Sequence, residues 1–173
     1  MEVLLLEKTS LRIKSKHANF VVDPIDKIQK TSADAVIILS ENYDSSKVTD
    51  FRVVIKSAGE YEVSGVKISG IALSDSIVYY LSPENISVFL AKASSLEKIS
   101  ADKIGECQVA VINVDFALNQ SVVTAMEPKT VILYGEKAEE AAKLLGKGDV
   151  ESSQKYIIAQ DKFPEEMQVI LLK

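Results

Sequence analysis

The feature that most limits the possible fold is an uninterrupted apolar segment that ends abruptly in a polar cluster. Val36–Leu39 contains only β-branched and aliphatic residues, and Ser40–Asp44 follows it without a spacer. A strand that shows no alternation of apolar and polar residues is typical of a sheet interior, where both faces are buried. We therefore predict that Val36–Leu39 is a central strand and that it delivers the loop Ser40–Ser46 to one end of a sheet.

The first two-thirds of the chain predict further strands, because Gly, Ser, Pro or Asn bound short apolar or alternating segments there. Val3–Leu6 is continuously apolar, which predicts burial on both faces, whereas Leu11–Lys14 alternates and predicts one buried face. The other predicted strands of this part are Phe20–Val22, Phe51–Ile55, Val66–Ile71, Ile77–Leu81 and Ile86–Ala91.

The last third of the chain mixes strands with helices. Val122, Val123 and Met126 fall on one helical face, and Ala138–Leu145 repeats small apolar residues at helical spacing. The predicted strands of this part are Val109–Val114, Val131–Leu133, Tyr156–Ala159 and Met167–Leu172. Strands followed by alternating strands and helices predict an α+β fold, with two sheets packed face to face and helices outside.

Length and charge restrict the class of protein. The chain has 173 residues, 47% of them apolar and 26% charged, which suits one globular domain over residues 1–173. Its net charge of −5 argues against nucleic-acid binding, which requires a basic face. The chain start lacks the features of a signal peptide, and no segment reaches the ~20 apolar residues of a membrane span. We expect a cytoplasmic protein with neither a membrane nor a nucleic-acid partner.

Four segments, taken in order with the Val36–Asp44 junction, carry a family resemblance. They are Phe20–Pro24, Ser57–Ile68, Met126–Ile132 and Phe163–Leu172. They resemble parts of the metallo-β-lactamase superfamily, in its branch of uncharacterised Zn-dependent hydrolases of β-lactamase fold. The resemblance spans most of the chain, and it implies an αββα sandwich of two mixed β-sheets with outer helices, reduced in size.

In that superfamily the strand-to-loop junction carries a His-x-His-x-Asp-His motif that holds one or two catalytic metals. Aligned without a gap, the motif positions fall here on Glu41, Tyr43, Ser45 and Ser46. A one-residue gap keeps Tyr43-Asp44 in register with a family Tyr-Asp and moves Ser45 to the last His position. Neither alignment restores an imidazole.

The remaining ligand positions of the family are also changed. By the same resemblance, its later Asp corresponds to Lys92 and its last His to Gly135. An ammonium group has no lone pair with which to bind a metal, and its positive charge repels a metal cation. We predict that Lys92 lies near the Ser40–Asp44 loop and pairs with Asp23, Glu41 or Asp44. The candidates for a vestigial site are therefore Asp23, Ser40, Glu41, Asn42, Tyr43, Asp44, Lys92 and Gly135.

Catalytic zinc needs three or four His, Cys or carboxylate ligands and one open position. The only histidine of the chain, His17, falls in a predicted exposed turn. We therefore predict no catalytic residue, no metal and no other cofactor. The expected function is that of a non-catalytic metallo-β-lactamase-fold protein, a pseudoenzyme, which binds an unidentified protein or small molecule or assembles with itself.

An alternative is a metal-dependent hydrolase whose site has been rebuilt from carboxylates. Asp23, Glu41 and Asp44 follow strands that end at one rim in the family, and Mg²⁺ or Ca²⁺ accepts oxygen ligands of this kind. This hypothesis requires the three carboxylates to lie within coordination distance of one point.

The terminal strands suggest self-association. Val3–Leu6 and Met167–Leu172 are strongly apolar and lack the charges that usually protect an exposed sheet edge. If these strands lay at edges, another element or another chain would have to cover them. We therefore predict a homo-oligomer.

Overall fold

The computed structural model describes residues 1–97, 99, 104–146, 150, 152–159 and 161–173. Two β-sheets and a short two-stranded ribbon contain the strands of this part of the chain. The strands of the first sheet are β1 (Glu2–Glu7), β2 (Ser10–Lys14), β3 (Asn19–Val22), β5 (Ala35–Ile37), β7 (Val53–Ile55) and β15 (Lys155–Ile157). The ribbon pairs β4 (Thr31–Ser32) with β6 (Val48–Thr49).

The second sheet has eight strands and carries the helices. Its strands are β8 (Gly59–Val63), β9 (Val66–Ala72), β10 (Ile77–Leu81), β11 (Val88–Lys92), β12 (Val109–Asn113), β13 (Thr130–Tyr134), β14 (Ser152–Ser153) and β16 (Gln168–Leu172). The helices of the described residues are α1 (Ala93–Leu96), α2 (Gln120–Ala125), α3 (Ala138–Leu144) and a 3₁₀ turn over Pro83–Asn85. None of them is both long and apolar enough to cross a membrane.

The parallel strands of each sheet end at the same edge of that sheet. The strands of the six-stranded sheet lie in the order β15-β1-β2-β3-β5-β7, and β3, β5 and β7 are parallel. In the eight-stranded sheet the order is β14-β16-β13-β12-β11-β10-β9-β8, and β11, β12, β13 and β16 are parallel. Because parallel strands end at one edge of a sheet, the residues that follow β11, β12 and β13 become neighbours.

Three apolar layers stabilise the sandwich. The layer between the sheets includes Phe20 and Ile37 of the first sheet with Leu90 and Ile132 of the second, all fully buried. A second layer lies between the eight-stranded sheet and helices α2 and α3. The third covers the outer face of the six-stranded sheet with residues from the chain between β3 and β7. The predicted arrangement of two packed sheets with outer helices is confirmed, with α2 and α3 on the eight-stranded sheet.

The strand that most constrained the sequence prediction lies inside the six-stranded sheet. β5 is bonded to β3 on one side and to β7 on the other. Val36 faces the outer apolar layer and Ile37 faces the layer between the sheets, so both faces are buried. The regular pairing stops at Ile37, and the backbone amide of Ile38 donates one further bond to the carbonyl of Ile55 at 2.9 Å.

The two terminal strands are not sheet edges. β1 lies between β15 and β2, and β16 lies between β14 and β13. The premise that these apolar strands need covering by another chain is therefore wrong. The expected burial of Val3–Leu6 on both faces is also wrong, because only Val3 of that run is fully buried. The edge strand β15 exposes Ile157, whose accessible fraction is 64%.

Candidate functional site

The polar residues of the candidate site are placed by the ends of three parallel strands. Lys92, Asn113 and Tyr134 are the last residues of β11, β12 and β13, and the strand register sets them side by side. Tyr134 belongs to the apolar layer between the sheets. Leu90, which lies two positions before Lys92 on β11, belongs to the same layer. Because side chains alternate along a strand, this row of three polar residues closes one end of that layer.

A cleft of about 520 Å³ opens where this row meets the ends of β3 and β5. Five of the sequence candidates, Asp23, Ser40, Glu41, Asn42 and Lys92, line it. The remaining lining residues are Thr9, Leu39, Asp75, Ser76, Ser94, Ser95, Asn113 and Asp115. The two sheets thus bring five of the eight site residues predicted from sequence to one cleft.

Three sequence candidates do not line this cleft. Tyr43 packs on the outer apolar layer of the six-stranded sheet. Asp44 is exposed, and its carboxylate accepts a bond from the amide of Ser46 at 2.7 Å, which lowers its pKa. Gly135 packs against Asn113 and lines a different cleft, together with Leu5 and Lys8.

Asp23 joins the ends of two neighbouring strands. Its carboxylate accepts bonds from the amide of Leu39 at 2.7 Å, the amide of Ser40 at 3.0 Å and the hydroxyl of Ser40 at 2.9 Å. Its own backbone carbonyl accepts a 2.6 Å bond from the hydroxyl of Ser10. Burial raises the pKa of Asp23, and the bonds from Leu39 and Ser40 with the charge of Lys92 only partly oppose that rise. The carboxylate therefore acts as a structural acceptor for the start of the 40–46 loop.

Lys92 lies in the cleft but pairs with a different acid from those predicted. Its Nζ atom is 2.9 Å from Oδ2 of Asp115. The expected pairing with Asp23, Glu41 or Asp44 is wrong. Asp115 follows β12, the parallel neighbour of β11, so the sheet itself brings it beside Lys92.

Asp115 is held in place by more than the lysine. Its carboxylate accepts bonds from the amide of Ser94 at 3.0 Å and the hydroxyl of Ser94 at 2.7 Å. Partial burial acts to raise the pKa of Asp115, but the bonds from Ser94 and the charge of Lys92 together lower it below its usual value. The side chain of Asp115 is 28% exposed and that of Lys92 is 24% exposed, so the ion pair is largely removed from water.

The floor of the site contains two residues that sequence reasoning missed. Asn113 is 2% exposed, and its Oδ1 atom has no hydrogen-bond partner among the described residues. The buried hydroxyl of Tyr134 also has no hydrogen-bond partner among the described residues. Burial, together with the charges of Asp23 and Asp115, raises the pKa of Tyr134. A polar residue at the end of an otherwise apolar strand is the signal that marks both positions.

Gly135 is required by its contact with Asn113. A Cβ atom at residue 135 would lie 2.5 Å from Oδ1 of Asn113 and 3.2 Å from the backbone nitrogen of Val114. The residue also has a φ of +100°, which disfavours any side chain. The side chain of Asn113 therefore lies where the Cβ atom of any larger residue at position 135, which by resemblance corresponds to the last metal-binding His, would be.

The described part of the chain offers no set of side chains that fits a metal. Within the described ranges there is no group of three His, Cys, Asp or Glu side chains that could hold an ion. Asp23, Glu41 and Asp44 therefore do not converge, and the carboxylate site of the alternative hypothesis is not formed. His17 is exposed and lines a different cleft with Met1 and Glu84.

In sequence comparison, no protein-family model and no curated protein matches this chain. Solved structures, however, share its fold at low sequence identity.

A candidate Zn-dependent hydrolase of the metallo-β-lactamase superfamily from Thermotoga maritima matches with a TM-score of 0.79 and 21% identity, over 99% of this chain and 97% of that chain. The metallo-β-lactamase fold protein YhfI from Bacillus subtilis matches with a TM-score of 0.62 and 8% identity, over 98% and 95%. An isothiocyanate hydrolase from Delia radicum gut bacteria matches with a TM-score of 0.60 and 11% identity, over 91% and 99%. The chain therefore has the metallo-β-lactamase fold, in agreement with the sequence resemblance.

Proposed function

We propose that this chain is a non-catalytic protein of the metallo-β-lactamase fold, a pseudoenzyme that binds a partner or assembles with itself. The observation that carries the proposal is the ion pair between Lys92 and Asp115. By resemblance, the family has a metal-binding Asp at position 92. An ammonium group there repels a metal cation and neutralises the nearest carboxylate.

The chemistry of Asp23 in the cleft and of Cys107, which lies outside the cleft, supports the same proposal. Hydrolysis in this fold needs an activated water, which a bound metal or an available general base beside the substrate supplies. The Asp23 carboxylate already accepts three bonds, and the buried thiol of Cys107 has its pKa raised to about 12. Neither group is prepared to act as a base or a nucleophile at neutral pH.

The cleft still offers a surface for binding. Its lining combines hydroxyl, amide and carboxylate groups, which suits a small polar molecule or a polar segment of a partner protein. Self-association is a separate proposal. It draws support from the edge strand β15, where Ile157 is exposed, and no longer from the terminal strands.

Elemental analysis tests the proposal. Untagged protein, grown with supplemented zinc and purified without chelators, should contain far less than one zinc or iron per chain. A series of ester, thioester and phosphodiester substrates should show no turnover above that of a Lys92→Ala variant. One tightly bound metal per chain, with hydrolysis that is lost on chelation, would contradict the proposal.

Gel filtration with light scattering tests self-association. A mass above the 18.9 kDa of one chain at micromolar concentration supports it. A matched variant, Ile157→Lys, should return the mass to that of a single chain if β15 forms the contact. A single-chain mass for the unmodified protein would refute self-association and leave only heterologous binding.

A further inference from the structure

We propose that the cleft binds a small neutral molecule with several hydroxyl groups, of the monosaccharide class, seated on the buried amide of Asn113. This inference rests on the proposed function, because it assumes a cleft that binds a molecule without hydrolysing it. It goes further by naming the chemical class of the ligand and the residues that select it.

The buried amide of Asn113 gives the first reason. Asn113 lines the cleft although only 2% of it is exposed, and its Oδ1 atom has no hydrogen-bond partner among the described residues. Oδ1 lies on the side of Gly135, where a Cβ atom would approach it to 2.5 Å. Because the two ends of a planar amide point apart, Nδ2 is the end available to the cleft. A buried amide without a partner is costly, and a ligand oxygen in the cleft reduces that cost.

The charges of the cleft are balanced from within, which gives the second reason. The Lys92 ammonium contacts the Asp115 carboxylate at 2.9 Å. The Asp23 carboxylate already accepts three hydrogen bonds, and burial raises its pKa, so its charged form is disfavoured. The other acids of the lining, Glu41 and Asp75, are exposed, so water and salt screen their charge. A ligand anion would meet these acids and a ligand cation would compete with Lys92, whereas a neutral ligand meets neither cost.

The pattern of donors and acceptors gives the third reason. A ligand hydroxyl both donates and accepts, so neighbouring hydroxyls fit a place where a donor lies beside an acceptor. Lys92 and Asp115 form such a place, because an ammonium has more donors than its single contact with Asp115 uses. Asn113 is the register partner of Lys92 on the next strand, and the hydroxyls of Thr9 and Ser95 belong to the same lining. Hydroxyl groups on adjacent carbons of one ring match this alternation.

The size and lining of the cleft give the fourth reason. Its volume of about 520 Å³ lies within the ~300–1,000 Å³ of small-molecule sites. Leu39 is the single apolar residue of the described lining, and no aromatic side chain belongs to that lining. Sites for flat apolar ligands are lined mainly by apolar and aromatic residues. The cleft therefore favours a compact ligand held by hydrogen bonds, with a dissociation constant in roughly the millimolar range, because each such bond replaces a bond to water.

Titration of ¹⁵N-labelled protein, followed by nuclear magnetic resonance, tests the ligand class. The probes are glucose, galactose and mannose, each compared with its amino sugar and its uronate, which carry opposite charges on the same ring. At least one neutral probe should shift the backbone amides of Lys92, Ser94 and Asn113 saturably, with a dissociation constant below about 50 mM. Both charged analogues of that probe should bind at least about threefold more weakly.

Two substitutions locate the ligand. Asn113→Leu replaces the amide by an apolar group of similar size and should weaken binding about tenfold. Its melting temperature should not fall, because the lost Oδ1 had no partner among the described residues. Thr9→Val removes a cleft hydroxyl at nearly constant shape, should weaken binding about threefold, and provides the test should Asn113→Leu fail to fold. The matched control is Thr124→Val on the exposed side of α2, which should bind as the unmodified protein does.

Three results would overturn the inference. They are the lack of a saturable shift with every neutral probe up to about 100 mM, tighter binding of a charged analogue than of its neutral parent, and unchanged binding in both cleft variants. None of them bears on the proposed function, which is tested separately by metal content and turnover. One tightly bound metal with hydrolysis would contradict that function, whatever the sugars do.

Discussion

Each side of the cleft holds a carboxylate by hydrogen bonds, but the pKa values of the two carboxylates shift in opposite directions. On the six-stranded side, Asp23 accepts bonds from Leu39 and Ser40. On the eight-stranded side, Asp115 accepts bonds from the amide and hydroxyl of Ser94. Nevertheless the pKa of Asp23 is raised and that of Asp115 is lowered.

Two differences account for this contrast. Asp23 is 2% exposed, so burial penalises its charge more than neutral donors can offset, whereas Asp115 is less buried and touches an ammonium group. At Asp23 the cost of deep burial outweighs the hydrogen bonds, whereas at Asp115 the bonds from Ser94, with a further contribution from Lys92, outweigh a smaller cost of burial. The first acid is a structural acceptor, and the second forms an electrostatic pair.

The largest loss of stability is expected at Gly135, on the eight-stranded side of the cleft. Gly135→Ala places a Cβ atom against Asn113 and Val114 at a φ of +100°, and should lower the free energy of unfolding by about 3 kcal/mol. Gly65→Ala is the matched control, because its φ is +78° but nothing lies within 4 Å, and it should cost about 1 kcal/mol. Urea denaturation measures both, and equal costs would show that the contact with Asn113 is unimportant.

On the six-stranded side, Asp23→Ala should lower the free energy of unfolding by about 2 kcal/mol, because the amides of Leu39 and Ser40 lose their acceptor. The φ of Asp23 is +43°, which adds strain for alanine. Asp23→Asn keeps an acceptor oxygen and tolerates this φ, so it should change the stability by less than about 1 kcal/mol. If the asparagine variant is as unstable as the alanine variant, charge rather than hydrogen bonding is the role of Asp23.

Removing the positive charge of Lys92 should lower the stability by a smaller amount. Lys92→Met should lower the free energy of unfolding by about 1 kcal/mol, since the pair is partly exposed and gains only part of its Coulomb energy. Lys92→Arg should remain close to the unmodified protein. Chemical denaturation at low and high salt provides the measurement, and a loss that does not shrink with added salt would point to packing of the lysine stem instead.

The smallest effect concerns the dependence of stability on pH. The pKa of Asp115 is lowered, so its stabilising contribution is present above its ordinary value of 3.8 and is lost as the pH falls through the lower folded value. The pKa of Asp23 is raised, so its contribution has the opposite sign: it is present below 3.8 and is lost as the pH rises through the higher folded value.

Substitutions separate these two contributions. The stability difference between the unmodified protein and Asp115→Asn should therefore shrink as the pH falls below about 4, whereas any advantage of Asp23→Asn should grow as the pH rises. Urea denaturation across the acidic range gives both curves. Parallel curves for the two variants would contradict the contrast between the two sides of the cleft.

Much of the fold was predictable because a buried strand can be recognised from its own short apolar sequence. The predicted strand Ile77–Leu81 agrees with β10 at both ends, whereas the predicted Val36–Leu39 overlaps β5 (Ala35–Ile37) only at Val36 and Ile37. The two-residue strands β4, β6 and β14 were missed, because Thr, Ser and Val in runs so short carry no periodic signal. The 3₁₀ turn at Pro83–Asn85 also delayed the start of β11 relative to the predicted Ile86.

The sequence by itself determined the sheet-forming segments, the fold they resemble and the single histidine, because hydrophobic runs and residue types are properties of the chain alone. Tertiary structure decided that Asp115 pairs with Lys92, that Asn113 fills the space beside Gly135, and that the terminal strands are internal. Each of these depends on which strands are neighbours and in what register. Such pairings join residues far apart in sequence, and only the packing of the complete sheets selects them.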